Sequence, residues 1–216
     1  MDQFDGPRFT DRTEAGRRLA ERLRAYANRD DAIVYGLPRG GVPVAFEVAH
    51  ALNLPLDVFV VRKLGVPWQP ELAMGAIASG GGPLLNSQIV EQYGISEDEV
   101  QDVVRRETLE LERREREYRG SRPAADVHGK TVILVDDGLA TGATMRAAVA
   151  ALRHAGAEKI VVAVPVAAPD ICESFRDLAD EVVCVVTPEP FHAVGLWYQD
   201  FSPTTDQEVS ELLARA

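Results

Sequence analysis

The chain contains 216 residues, a length that suits one domain with a sizeable hydrophobic core. Its composition, 46% hydrophobic and 26% charged, is ordinary for a globular protein. The net charge of -11 argues against broad nucleic-acid binding, which needs a positive field over the protein surface, so no nucleic-acid partner is predicted.

The first half of the chain mixes helical periodicity with short apolar runs. Asp11 followed by Glu14 predicts a helix start, and apolar residues then recur on one face as far as Tyr26. Proline and glycine interrupt the segment at 64–75, which therefore predicts a loop. The other predicted elements of this half are strands at 32–35, 58–61, 76–78 and 84–85, a helix at 42–52 and a long helix at 96–119.

The second half alternates strands and helices more regularly. The predicted elements are strands at 131–135, 159–164 and 182–186, and helices at 143–154, 170–178 and from about 206. The strands are apolar almost throughout, which is typical of a parallel sheet covered on both faces. We therefore predict an α/β fold with an open, mostly parallel twisted sheet and helices on both faces. Ligands bind such sheets at the carboxyl ends of the strands.

Three features bear on location. The opening MDQFDGPRFTDR has no apolar run, so no signal peptide is predicted. The longest apolar stretch, residues 160–168, is too short to span a bilayer, so no membrane partner is predicted. Cys172 and Cys184 form no CxxC pair and lie in apolar segments, so we interpret them as small core residues without a disulfide. These features favour a cytoplasmic location.

The segment at 132–145 reads VILVDDGLATGATM and has an unusual chemical character. An apolar strand runs into two adjacent carboxylates, Asp136 and Asp137, and then into small and hydroxyl residues before a helix. Backbone N–H groups at a helix N-terminus point toward anions, and Gly138 and Gly142 let the backbone approach a ligand closely. The pattern predicts a phosphate site beside carboxylates that face neutral hydroxyls or a metal, as a sugar phosphate would require.

The run VDDGLATGAT within this segment resembles the phosphoribosyl pyrophosphate (PRPP) motif of type I phosphoribosyltransferases, and it looks most like the adenine phosphoribosyltransferase version. The resemblance implies that Asp136 and Asp137 hold the ribose hydroxyls of PRPP. It implies that the 5′-phosphate lies against a loop formed by Ala140, Thr141, Gly142, Ala143 and Thr144. It also implies a single domain over residues 1–216, with a core at about 30–190 and a small hood from the N- and C-terminal segments.

Two further segments match the pyrophosphate side of that family. The sequence GLPRGG after the first strand resembles the pyrophosphate loop, in which Arg39 supplies charge and Gly40 and Gly41 expose N–H groups. Arg62 and Lys63 end a predicted strand as a similar Arg-Lys pair does in adenine phosphoribosyltransferases, which implies that they bind pyrophosphate. The alternative is a solvated pair of cations at the end of a strand.

The resemblance also offers candidates for catalysis and base binding. It makes the segment at 64–75 a mobile loop, in which Glu71 is either the general acid or base or a solvated carboxylate. Phe191 and Trp197 are candidates for stacking on a base, unless this C-terminal segment simply packs on the core. Ala140 stands where many hypoxanthine- and guanine-type members carry an aspartate, so those two bases are expected to be poor acceptors.

The implied activity is transfer of phosphoribose from PRPP to a small-molecule nitrogen acceptor, with Arg39 and Arg62 stabilising the departing pyrophosphate. Mg²⁺ is the expected cofactor, held mainly by PRPP and water rather than by a protein metal site. A homodimer is expected. Two alternatives stay open: a PRPP-binding sensor or regulator without catalysis, and a member that acts on a non-base acceptor or as the partner of another enzyme.

Overall fold

The computed structural model describes residues 8–216 of the chain, so the first seven residues of the predicted single domain lie outside the described range. Within this range the chain forms eight strands and seven α-helices. The strands in chain order are β1 (Ala32–Gly36), β2 (Leu56–Val58), β3 (Val61–Val66), β4 (Gln69–Ala78), β5 (Leu84–Leu85), β6 (Thr131–Val135), β7 (Lys159–Val166) and β8 (Glu181–Val186).

The helices flank the strands, and four of the described α-helices begin after a residue whose side chain caps the helix. They are α1 (Arg12–Arg22), α2 (Gly41–Leu52), α3 (Ser87–Gln92), α4 (Glu97–Arg119), α5 (Ala143–His154), α6 (Pro169–Ser174) and α7 (Asp206–Ala214). Asp11 caps α1 by accepting a hydrogen bond from the backbone of Glu14, and Ser96 with Glu99 forms a capping box before α4. None of the helices in the described range is long and apolar enough to cross a membrane.

Five strands form a parallel sheet in the order β2-β1-β6-β7-β8. The predicted α/β fold with a mostly parallel sheet is therefore confirmed. After β1 the chain adds β2 on one side, whereas β6 pairs with β1 on the other side. The strand order thus reverses between β1 and β6, and open α/β sheets bind ligands in the crevice that such a reversal leaves beyond the carboxyl ends of the strands.

A separate antiparallel sheet, in the order β3-β4-β5, replaces the loop predicted at 64–75. That prediction is wrong, because the glycine and proline residues mark irregularities inside a hairpin instead of a break in structure. The register of β3 with β4 shifts around Gly65, and a Cβ at Gly65 would lie 2.5 Å from the carbonyl oxygen of Pro70. Glycine is therefore needed where the two backbones approach most closely.

The two cysteines also differ from their predicted state. Cys172 in α6 and Cys184 in β8 are joined as a disulfide, so their interpretation as separate core residues is wrong. The helix α6 connects β7 to β8, and this short crossover returns over the sheet and brings Cys172 onto the face of β8. Both residues pack at the edge of the buried cluster that lies between the sheet and α5. The fold brings together two cysteines that are 12 residues apart in sequence, and a search for CxxC spacing does not detect such a pair.

Candidate functional site

The loop after β6 begins with the two aspartates and ends at the first turn of α5. Gly142 is the N-cap of α5 and has a left-handed φ of 72°. A Cβ at this position would lie 2.6 Å from the ring of Phe175, so both the backbone conformation and the available space require glycine. The segment TGAT therefore turns sharply into the helix, with Met145 and Leu139 buried on either side of the turn.

The turn presents an exposed helix N-terminus at the carboxyl edge of the sheet. Four residues of the loop are exposed to solvent, namely Ala140, Thr141, Ala143 and Thr144. The first N–H groups of a helix have no partner within the helix and carry partial positive charge, which suits a phosphate. The geometry is thus the one expected for the predicted 5′-phosphate loop, and the phosphate role itself stays a prediction.

The GLPRGG segment lies directly against the two aspartates. The backbone N–H of Leu37 donates to the carbonyl oxygen of Val135 over 2.9 Å, which continues the β1–β6 ladder into both loops. A Cβ at Gly40 would lie 2.0 Å from Oδ2 of Asp137, and a Cβ at Gly41 would lie 2.9 Å from Cα of Asp136. The two glycines therefore permit a contact that side chains would prevent, and the structure brings both predicted motifs together at the crevice.

The aspartates differ in their surroundings although they are adjacent in sequence. Oδ1 of Asp136 accepts a hydrogen bond from the backbone N–H of Asp137 over 2.9 Å. Burial, and then the neighbouring charge of Asp137, raise the pKa of Asp136 well above its usual value. Burial also raises the pKa of Asp137, while the guanidinium of Arg12 acts in the opposite direction.

Arg12 is the site residue that the sequence reading missed. From the first turn of α1, its Nε and Nη2 lie 2.9 and 2.8 Å from Oδ2 of Asp137. Its Nη1 donates to the carbonyl oxygen of Ser202 over 2.8 Å, and its guanidinium lies 4.0 Å from the ring centroid of Phe201. Arg12 and Asp137 are 125 residues apart, so no local spacing signals the pair.

The C-terminal segment holds the same aspartate from a second direction. The hydroxyl of Tyr198 donates to the backbone carbonyl oxygen of Asp137 over 2.6 Å. Tyr198 also forms a parallel bridge with Phe9, which brings the segment before α1 alongside the C-terminal segment. Both terminal regions of the described chain therefore contact the carboxylate loop, a position that is compatible with the expected hood.

The predicted cations lie in two separate elements. Arg39 is in the loop after β1, whereas Arg62 and Lys63 lie near the start of β3 and not, as predicted, at the end of a strand. Arg39 is about half exposed, and its Nη1 lies 3.9 Å from Oδ2 of Asp206 at the start of α7. Arg62 points toward α4, where its Nε and Nη2 lie 3.0 and 2.6 Å from Oε2 of Glu107. Arg62, which the resemblance assigns to pyrophosphate, is thus neutralised by the carboxylate of Glu107 in this structure.

Lys63 and Glu71 face one another across the hairpin, with Nζ and Oε2 separated by 3.2 Å. Glu71 has 96% of its side chain exposed, so the structure holds it only through this solvated pair. With Arg62 and Glu107 they line a groove of about 230 Å³ between the hairpin and α4. The roles of all three predicted residues here stay predictions.

The two aromatic candidates for base binding differ in exposure. Trp197 is 7% exposed and packs in a buried cluster with Phe9 and Tyr198. Phe191 is partly buried and packs against the edge of the same cluster. The indole ring therefore has little surface left for stacking on a ligand, whereas the ring of Phe191 retains some. The base-binding role stays a prediction for both residues.

The fold and the site define a class of protein: an α/β domain with paired carboxylates and an exposed helix N-terminus at the reversal of strand order. Residues 9–196 match the phosphoribosyl transferase domain family, and the chain belongs to this family. Two curated proteins of Mycobacterium tuberculosis, Rv0571c of strain H37Rv and MT0597 of strain CDC 1551, are each 49% identical over 208 residues. Both are named provisionally as phosphoribosyl transferases.

Those alignments cover 96% of this chain and 47% of each relative, so the chain spans about half the length of the curated relatives it matches. The crystal structure of TT1426 from Thermus thermophilus is also similar, with 42% identity and a TM-score of 0.85. That match covers 96% of this chain and 98% of the other, and it supports the same fold over the part of the chain that it covers.

Proposed function

We propose that this chain is a phosphoribosyltransferase that binds PRPP with Mg²⁺, transfers phosphoribose to a nitrogen acceptor and releases pyrophosphate. The observation that supports this most directly is the contact between the two loops at the sheet reversal, where Gly40 abuts Oδ2 of Asp137. The contact joins an exposed helix N-terminus, two carboxylates and a glycine-rich loop with its arginine in one crevice. PRPP carries groups complementary to each: a 5′-phosphate, ribose hydroxyls and a pyrophosphate.

The proposal assigns each part of PRPP to described groups. The loop at 140–144 would take the 5′-phosphate through its N–H groups, and Asp136 and Asp137 would accept hydrogen bonds from the ribose hydroxyls. Arg39 and the backbone of Gly40 would face the pyrophosphate. Their contribution would come from stabilising the charge that develops on the leaving group, which lowers the barrier more than it strengthens ground-state binding.

Two assignments require rearrangement in the hairpin. Arg62 would reach pyrophosphate only after leaving Glu107, and Glu71 would act as an acid or base only after the hairpin moves toward the crevice. A guanidinium binds carboxylate and phosphate oxygens in the same paired geometry, so pyrophosphate would replace Glu107 on Arg62, and Glu107 would keep its ion pair with Arg106. Phe191 is the aromatic candidate that retains surface for an acceptor ring.

The residues at the crevice fit a Mg²⁺ ion that is held largely by its substrate. The described residues contain no group of three or more His, Cys, Asp or Glu side chains placed to hold a metal ion. Mg²⁺ usually keeps several water ligands and binds through substrate phosphates, so PRPP and water would hold the ion while Asp136 and Asp137 accept hydrogen bonds from the ribose hydroxyls. The bound ion would neutralise charge on the pyrophosphate oxygens.

The test is pyrophosphate release from PRPP with Mg²⁺ across a panel of purines, pyrimidines and small amines, together with calorimetric binding of PRPP. We expect release with at least one acceptor, its loss on addition of EDTA, and slower release in Arg39→Ala. Arg29→Ala is the matched control, since Arg29 forms an exposed ion pair with Asp31 on the connection before β1. A wild-type protein that fails to bind PRPP would overturn the proposal.

A PRPP-binding regulator without catalysis is the second candidate. It is favoured by one observation: Arg62, which is assigned to the leaving group, is paired with Glu107 on α4, with Nη2 2.6 Å from Oε2. Tight PRPP binding with no pyrophosphate release from any acceptor would support this candidate. The small-molecule acceptor, the homodimer and the cytoplasmic location stay predictions in either case.

A further inference from the structure

Arg12 occupies one oxygen of the aspartate that the proposed function assigns to ribose. Two nitrogens of its guanidinium lie within 2.9 Å of Oδ2 of Asp137, and the side chains are only 12% and 15% exposed. A Cβ at Gly40 would fall 2.0 Å from the same oxygen and 3.3 Å from Nε of Arg12. Oδ2 is therefore enclosed by protein on two sides, and the side-chain hydrogen bonds that Asp137 receives within the described residues go to this oxygen and not to Oδ1.

The guanidinium is itself held in place from the C-terminal segment. Its third nitrogen donates to the carbonyl oxygen of Ser202, and its central carbon lies 4.0 Å from the ring centroid of Phe201. A flexible arginine that forms hydrogen bonds in several directions and stacks on an aromatic ring has few alternative conformations. Arg12 is thus a fixed element against which the carboxylate of Asp137 is oriented.

The arrangement answers an electrostatic problem in the crevice. Asp136 and Asp137 place two carboxylates side by side, and PRPP brings further negative charge from its phosphates. A cation bound to one carboxylate offsets part of that repulsion in a region where solvent screening is weak. Among the described residues, Asp136 interacts electrostatically with both Arg12 and Asp137, and Asp200 on the C-terminal segment interacts with Arg12.

We propose that Arg12 is a positioning residue for PRPP: it fixes Oδ2 of Asp137 so that Oδ1 is presented to a ribose hydroxyl. This inference rests on the proposed function, because it concerns the same ribose site. It adds that α1 and the segment at 197–202 build that site together with the PRPP motif. Arg12 acts through Asp137 and need not contact the substrate.

The test measures PRPP binding by calorimetry with Mg²⁺ for the wild type, Arg12→Ala, Arg12→Lys, Asp137→Asn and the double variant. We expect Arg12→Ala to weaken binding at least tenfold and Arg12→Lys to recover part of the loss, since lysine keeps the charge without the paired geometry. In the Asp137→Asn background, Arg12→Ala should have little further effect, because the residue through which it acts has been changed. Arg17→Ala is the matched control. Arg17 lies on α1, as Arg12 does, but it forms an exposed ion pair with Glu47 on α2.

Kinetics provide a readout that a purely structural role would not give. A residue that orients ribose in both ground and transition states should raise KM for PRPP and leave kcat nearly unchanged. Circular dichroism and thermal melting identify variants that fail to fold, and the more conservative Arg12→Lys then carries the comparison.

The outcomes separate this inference from the proposed function. If the wild type binds PRPP and Arg12→Ala binds equally well, the inference fails and the proposed function stands. The inference also fails if Arg12→Ala costs the same affinity in the Asp137→Asn background, since Arg12 then acts by another route. If the wild type does not bind PRPP at all, both are overturned.

Discussion

Replacing Gly40 by alanine tests the contact on which the proposed site depends. The backbone at Gly40 has φ -62° and ψ -28°, a conformation that alanine adopts freely. The effect of Gly40→Ala must therefore come from the added Cβ and what it meets, which separates it from the usual loss of glycine flexibility.

The distance between Gly40 and Asp137 sets the size of that effect. The new Cβ would lie 2.0 Å from Oδ2 and 2.8 Å from Cγ of Asp137. Ordinary contacts are about 3.5 Å, so the carboxylate or the loop must move by roughly 1.5 Å. Such overpacking typically costs about 1–3 kcal/mol, which in a chain of this length lowers the melting temperature by roughly 2–12 °C.

Ligand binding should suffer alongside stability, because the displaced group is the carboxylate assigned to ribose. A hydrogen bond with a charged partner contributes about 1.5–3 kcal/mol, so the affinity for PRPP should fall roughly tenfold or more. Isothermal titration and differential scanning calorimetry on the same preparations measure the two effects. Gly82→Ala is the matched control, since a Cβ at Gly82 meets no described atom within 4 Å.

Two outcomes of this experiment would contradict part of the proposed site. If Gly40→Ala melts with the wild type and binds PRPP with unchanged affinity, the glycine-rich loop does not abut Asp137 as described. If melting falls but affinity does not, the contact is real and the ribose assignment of Asp137 is wrong. The design therefore distinguishes an error in the fold from an error in the function.

Three further predictions concern single groups. Asp137→Asn should fold and bind PRPP roughly tenfold or more weakly by calorimetry, and unchanged affinity in a folded variant would contradict the ribose role. Arg39→Ala should lower kcat for pyrophosphate release more than it raises KM, whereas a pure KM effect would mean that Arg39 stabilises the ground state and the transition state equally. Reduction of the Cys172–Cys184 disulfide should lower the melting temperature by roughly 6–12 °C, since a loop of this size contributes about 3 kcal/mol, and alkylation of two thiols before reduction would show that the bond is absent.

The part of the fold nearest the site could be predicted from sequence with little error. The predicted strand at 131–135 and helix at 143–154 coincide with β6 and α5. An uninterrupted apolar run and a clear helical period determine these elements locally, and the parallel sheet buries both of its faces around them. The adjacency of the two glycine-rich loops followed from the rule that parallel strands end at one edge.

The remainder depended on contacts that leave no local pattern. The hairpin of β3 and β4 contains residues such as Gly65 and Pro70, whose usual meaning is a break in structure, and only the register shift explains their presence. Arg12 reads as one more charge on an amphipathic helix until the fold carries it to Asp137. The partnership of Arg62 with Glu107 on α4 likewise joins two elements whose packing the sequence does not specify.

The placement of the two tryptophans gives the molecule a built-in optical probe. Trp68 lies at the turn between β3 and β4 and is 56% exposed, whereas Trp197 is 7% exposed beside Tyr198. Because the chain has two tryptophans, the single-tryptophan variants Trp68→Phe and Trp197→Phe each retain one reporter. Emission and acrylamide quenching would then follow the hairpin and the carboxylate loop separately during ligand titration. Movement of the hairpin could thereby be timed against occupation of the crevice, without any external label.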